Sequence, residues 1–179
     1  ERVLDLGSGG GIDCFLASQQ VGDTGKVTGL DMTPSMLELA RANKTKLGIT
    51  NVDFVQGEME KMPIPDSSVD VIISNCVVCL SPDKDAVFTE SFRVLSPGGR
   101  IHLSDVMALT TDGPSVSSPE DWVSCTAGAE HVDVYRDRLV RAGFTEIEFT
   151  SEQVDYLDDH PERPPTNTAG YKVVAHKPA

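Results

Sequence analysis

The sequence predicts an α/β fold, a doubly wound and mostly parallel seven-stranded sheet with an antiparallel hairpin at one edge. Three observations carry this expectation. Strand-like and helix-like patterns alternate along most of the 179 residues, as repeated βαβ units require. The run VDVIISN, residues 69–75, is apolar in the manner of a strand covered on both faces. Near the end, two strand patterns are separated by loop alone, which favours an antiparallel pair.

The elements follow in order. Residues 2–6 form a short apolar strand that ends in the Gly-rich turn GSGGG, and residues 12–20 continue as a helix. KVTGLD, residues 26–31, is the second strand. Thr33 then reads as an N-cap with Pro34 at the first helical position. Met36, Leu37, Ala40 and Leu47 recur at helical spacing, and Gly48 closes that helix. VDFVQG (52–57) is the third strand and VDVIISN the fourth; residues 85–95 are helical and stop at SPGG. RIHLSDV (100–106) is the fifth strand, and residues 108–121 are a Ser/Pro/Gly-rich loop. Residues 132–142 read as a helix ended by Gly143, TEIEFTSEQVDY (145–156) as the sixth strand and YKVVAHK (171–177) as the last. HPERPPTNTAG, residues 160–170, is a turn or excursion between them.

The length fits one domain over residues 1–179, with a core that needs no disulfide staples. ERVLDLGSG starts almost inside a strand, so an upstream segment is expected to be missing. No signal-peptide pattern opens the chain, and no apolar run nears the roughly 18 residues of a membrane span. Fifteen basic against 28 acidic residues give a net charge of −13. That balance argues against nucleic acid or an anionic membrane as partner, and reads as a solvated surface compatible with a high-salt host. Four cysteines, at 14, 76, 79 and 125, are too few and scattered for a secreted disulfide framework; they read as cytoplasmic thiols.

LDLGSGGGID places Gly7, Gly9 and Gly11 between a strand and a helix, where free amides and close backbone approach suit a ligand. A dinucleotide loop wants a third glycine where Ile12 stands. Asp31 ends the second strand 24 residues after Gly7, a position from which a carboxylate can accept ribose hydroxyls.

VLDLGSGGG, GLDMT, VQGEMEKMPIPDSSVDVIIS and RVLSPGG together resemble the class I S-adenosylmethionine-dependent methyltransferases, over essentially the whole chain. The resemblance implies their Rossmann-like fold and S-adenosyl-L-methionine as cofactor. It places Asp5 near the cofactor's cationic methionine end, with Gly7, Ser8 and Gly9 packed against it. Asp31 would bind the ribose, Met32 would pack on the adenine, and Gly57, Glu58 and Met59 would border it, Glu58 near the amino group; Asn75 would close the pocket. A sulfonium favours carboxylates and needs no phosphate cradle, which agrees with Ile12 in the loop.

The cysteines follow three strand ends, so a parallel sheet would deliver them to the edge where ligands bind. Each could instead be a small buried hydrophobe, a reading that stays open for Cys14 and Cys79. A structural zinc usually wants two close ligand pairs, and only one C-x-x-C is present. That pair runs straight from a strand end, unlike a redox pair at a helix N-terminus. Thiolates select soft acceptors, and trivalent arsenic is one that binds three of them while keeping a lone pair.

GGGIDC, ISNCVVCLSPDK, LSDV and DWVSCTAGA resemble the arsenite S-adenosylmethionine methyltransferases. That resemblance implies that Cys14, Cys76 and Cys125 take part in arsenic binding and thiol redox chemistry. It implies arsenite or a thiol-bound arsenical as substrate, glutathione or a thioredoxin-type protein as reductant, and a role in arsenic detoxification. The family has one more cysteine upstream of the first strand, a non-thiol residue at Cys79, and often Arg at Ile12. Methyl transfer needs no general base, and His102, His131, His160 and His176 are spread apart; Trp122 reads as core near Cys125. Competing readings are methylation of an organic ring such as a quinone or sterol, a non-catalytic binder of cofactor or metalloid, and a nicotinamide-dependent oxidoreductase, which the loop disfavours.

Overall fold

The computed structural model describes residues 1–111, 128–152 and 167–179. Strands β1 (Arg2–Leu6), β2 (Lys26–Asp31), β3 (Val52–Gln56), β4 (Val69–Asn75), β5 (Leu95–Ala108), β6 (Thr145–Glu152) and β7 (Thr168–His176) form one sheet in the order β3-β2-β1-β4-β5-β7-β6. Helices α1 (Ile12–Val21), α2 (Pro34–Leu47), α3 (Lys84–Val94) and α4 (Val132–Ala142) connect them, with a 3-10 turn at Val78–Leu80. Strands β1 to β5 pair in parallel, and β7 lies antiparallel between β5 and β6. The expected edge hairpin is therefore present, with its second strand on the inside. Strand order turns back between β1 and β4, and a ligand crevice opens outside the carboxyl ends of strands at such a point.

Two apolar layers sandwich the sheet. On one face Leu4, Leu6, Ile72, Ile101 and Leu103 pack with Phe88 and Val94 of α3 and with Tyr135 and Leu139 of α4. On the other, Val3, Val27, Val52 and Val71 pack with Cys14 and Phe15 of α1 and with Leu37 and Ala40 of α2. Alternation of inward positions along β1 sends Val3 and Leu4 to opposite layers, as a pleated strand must.

Local chemistry explains several boundaries. Asp83 caps α3 by accepting from Ala86 N at 3.0 Å, so that helix begins one residue before the expected start. Thr33 stands at the N-cap of α2 but its side chain makes no cap bond; its backbone amide is taken by Asp31 Oδ1 at 2.8 Å. Leu37 and Ala40 are buried as the spacing predicts, while Met36 and Leu47 are exposed, because the apolar stripe of α2 is narrow.

SPGG does not separate α3 from a later strand. Leu95 already pairs with Val69, and residues 96–99 bulge out before Arg100 pairs with Val71. The sixth strand is described to Glu152, and the last begins at Thr168. Cys125, Trp122, His160 and most of the expected loops lie outside the described residues. Among the described residues, no helix is long and apolar enough to cross a membrane.

Candidate active site

The Gly-rich loop folds over the end of β2. Gly7 N and Ser8 N both donate to Leu30 O, at 2.8 and 3.0 Å. Gly9 N donates to Asp31 Oδ2 at 2.8 Å while Thr33 N donates to Oδ1. Asp31 thus ties the loop to the start of α2, and a carboxylate with about four acceptor positions retains room for hydroxyls. Gly7 has a φ of 68°, and a Cβ there would lie 2.4 Å from Val77 Cγ1. The loop after β4 is therefore in direct contact with the loop after β1, a pairing that sequence reading did not find.

Between these loops lies a cleft of about 280 Å³, lined by Gly7, Asp31, Met32, Gly57, Met59 and Val77, together with Glu60, Leu80 and Ser81. Of these, Gly7, Asp31, Met32, Gly57 and Met59 were expected from the sequence, and Val77, Glu60, Leu80 and Ser81 were not. Glu58 is exposed and outside this lining; it sits in a tight turn bridged to Lys61, and Glu60 takes the inward place. The Ser81 hydroxyl hydrogen-bonds to Glu60, joining the loop after β3 to the loop after β4.

A larger cavity of about 580 Å³ lies beside α1, over the faces of β4, β5 and β7. Asp5, Ser74 and Asn75 line it, with His102, Ser104 and Lys172 further along. The smaller cleft is the better nucleotide site, because it lies at the strand ends and collects both Asp31 and the Gly-rich loop. Asp5 and Asn75 belong to the neighbouring cavity.

Beneath the loop, Asp5 is buried and accepts from the Cys14 thiol at 3.2 Å. Burial pushes the Asp5 carboxyl up to about 7; the Cys14 hydrogen bond opposes this, and the charges of Asp13 and Asp31 add to it. Burial, with the Asp5 charge, pushes the Cys14 thiol far above its ordinary value. Cys14 is fully buried and stands as a protonated donor among Phe15, Phe54 and Gly29. The Ser8 hydroxyl is also buried here and has no hydrogen-bond partner among the described residues.

Cys76 follows β4 directly. It is half-buried, with a left-handed φ of 52°, and its amide donates to Ser104 O at 2.7 Å. Such a backbone is uncommon for a residue other than glycine. Cys79 is buried in the 3-10 turn below, where its thiol hydrogen-bonds to Asp105. Cys14 and Cys76 thus occupy different settings, one sealed under the Gly-rich loop and one half-buried in the loop after β4. Among the described residues no three His, Cys, Asp or Glu side chains are grouped to hold a metal ion. Cys125, the expected partner of Cys76, lies outside them.

Residues 1–133 match the family described as a methyltransferase domain. The chain belongs to this family. The chain is 46% identical over 162 residues to the arsenite methyltransferase of Halobacterium salinarum, covering 89% of this chain and 41% of that one. The structure of an arsenic(III) S-adenosylmethionine methyltransferase from Chlamydomonas reinhardtii superposes with a TM-score of 0.76 at 37% identity, over 99% of this chain and 63% of that one. A demethylmenaquinone methyltransferase from Lactococcus lactis is 40% identical over 99 residues, 55% of this chain and 39% of that one. The chain matches less than half the length of the arsenite methyltransferase from Halobacterium salinarum.

Proposed function

We propose that this domain transfers methyl groups from S-adenosylmethionine to trivalent arsenic held by cysteine thiolates, in a cytoplasmic setting where reductants keep those thiols free. The single observation that carries the reading is the place of Cys76. Cys76 follows β4 in a constrained backbone, directly before Val77, which packs on Gly7 of the Gly-rich loop, and this supports a thiol close to the cleft. The similarity to arsenite methyltransferases supports the same acceptor.

The residues present fit the cofactor. Gly7 leaves space that a Cβ would fill, the Ser8 hydroxyl is buried without a partner among the described residues, and Asp5 is a buried carboxylate near neutrality. Asp31 would hold the ribose, Met32, Gly57 and Met59 would border the adenine, and Asp5, Ser8 and Gly9 would receive the cationic end, with Asn75 at the margin. Glu60 is better placed than Glu58 to meet the base. When bound, the cofactor supplies an activated methyl group on a sulfonium.

The protein's own part is positioning. Cys76 and Cys125 would fix the direction of the arsenic lone pair, and alignment of donor and acceptor replaces any general base. The third thiolate would come from Cys14 or a small thiol such as glutathione. A sealed, protonated Cys14 favours the small thiol in this conformation. Glutathione or a thioredoxin-type reductant would restore oxidised thiols.

Incubation with S-adenosylmethionine, glutathione and arsenite, followed by arsenic speciation, tests the reading: methylated arsenicals are expected, and their absence overturns it. The competing acceptor is an organic ring such as a quinone, supported by the likeness to the Lactococcus enzyme and by the largely apolar cavity beside α1. Such an enzyme should tolerate Cys76→Ser and Cys125→Ser.

A further inference from the structure

One loop, residues 75–82, does two things at once. Val77, Leu80 and Ser81 line the cofactor cleft, and Cys76, half-buried, directly precedes Val77 in the same loop. Any shift of this loop therefore moves donor wall and acceptor thiol together.

The loop rests on a buried polar cluster that the proposed reaction does not use. Asp105, near the end of β5, accepts from the Tyr135 hydroxyl of α4 at 3.2 Å, from Val106 N at 3.1 Å and from the Cys79 thiol. All three side chains are essentially solvent-free. The Lys84 ammonium faces the cluster and donates to Ser81 O at 3.1 Å. A buried carboxylate is costly unless its oxygens are satisfied, so each of these donors is held in place. Cys79 is the one donor that comes from the loop itself. Two residues of β5 thus clamp the loop from below: Ser104 O takes Cys76 N, and Asp105 takes the Cys79 thiol.

We infer that Cys79, anchored on Asp105 and Tyr135, is a positioning residue that sets the height of the loop and so the placing of Cys76 against the cofactor cleft. Cys79 neither binds the acceptor nor reacts. The role of Cys76 as acceptor ligand rests on the proposed function; the clamp itself does not.

The test uses readouts free of arsenic. The full chain, its Cys79→Val variant (apolar, no donor) and its Cys79→Ser variant (donor kept) are titrated with S-adenosylhomocysteine by calorimetry. Alkylation of Cys76 by iodoacetamide is followed by mass spectrometry. Phe144→Leu, a core change against Phe92 far from the loop, serves as a control of comparable instability. Cys79→Val should bind the ligand about five- to tenfold more weakly, less than the full worth of a hydrogen bond to a charged group because the effect reaches the cleft through the loop, and alkylate faster at Cys76. Cys79→Ser should recover most of both, and Phe144→Leu should change neither. If Cys79→Val does not fold, Tyr135→Phe removes another donor to the same carboxylate and should shift both readouts in the same direction. Wild-type values for Cys79→Val or Tyr135→Phe, or equal shifts in Phe144→Leu, overturn the inference. Methylation of arsenite need not occur for either result, so failure of the proposed function is seen separately.

Discussion

The Cys14 thiol donates to Asp5 Oδ2 at 3.2 Å, beneath the loop that the sequence marks for the cofactor. A residue expected as a metalloid ligand is thereby bound to the carboxylate expected to meet the cofactor's cation.

This pairing gives a pH dependence. The Asp5 carboxyl is raised to about 7 by burial, and Cys14 and Asp13 of α1 and Asp31 of β2 are the groups that act on it. Its folded value lies above its unfolded one, so its contribution to stability is full below the ordinary carboxylate range. That contribution is lost as pH rises through about 7. A cationic ligand favours the ionised form, so S-adenosylmethionine should bind more tightly as pH rises from about 6 to 8, with release of a proton. Calorimetry in two buffers of different ionisation enthalpy checks this, and Asp5→Asn should remove the dependence.

Asp31 holds Gly9 N and Thr33 N while facing the cleft. Asp31→Ala should weaken cofactor binding by roughly 1.5–3 kcal/mol, the worth of a hydrogen bond to a charged group. Unchanged affinity in that variant would sink the assignment of the cleft.

Gly7 and Gly9 separate conformation from contact. Both have positive φ, but a Cβ on Gly7 strikes Val77 and one on Gly9 meets nothing within 4 Å. Gly9→Ala should cost about 1–2 kcal/mol for its backbone alone. Gly7→Ala should cost about 2–4 kcal/mol, because overpacking adds to the backbone cost, and should also displace the loop that bears Cys76. Chemical denaturation of both variants, with ligand titration, measures the difference.

The thiols should divide unequally. Cys76→Ser and Cys125→Ser should abolish arsenic methylation, whereas Cys14→Ser should retain methylation of a trivalent methylarsenical. Where Cys14 opens to supply the third thiolate, methylation of inorganic arsenite by Cys14→Ser should fall and be partly rescued by glutathione; where a small thiol supplies it, glutathione alone should sustain the reaction in that variant. Arsenic speciation for the three variants on both substrates is the comparison, and equal loss in all three would refute the division.

Arg93 ties the end of α3 to the loop after β3, donating to Met62 O, Ile64 O, Asp66 and Glu90. Glu90 in turn accepts from Met62 N at 2.8 Å. Arg93→Met should destabilise the protein by about 1.5–3 kcal/mol, since it strands acceptors that are partly buried. Faster hydrogen exchange at residues 57–66 would locate the effect, and exchange unchanged there would contradict it.

The sequence by itself determined the strand and helix alternation, the Gly-rich loop, the carboxylate ending β2 and the antiparallel pair at the sheet edge. These are short-range properties: periodicity, turn chemistry and the free amides of a helix start act within a few residues. Tertiary structure decided what those elements meet. Val77 fills the space Gly7 leaves 70 residues earlier, and Cys79 reaches Asp105 and Tyr135 on two other elements. The helical turn after Gly11 sends Cys14 inward to Asp5, and the turn at Glu58–Lys61 puts Glu60 rather than Glu58 in the lining of the cleft. Strand β7 enters between β5 and β6, a choice that only packing across the sheet can make. Spacing along the chain assigns a residue to a strand end; the sheet order and the rotation of each helix decide which strand ends and side chains face one another.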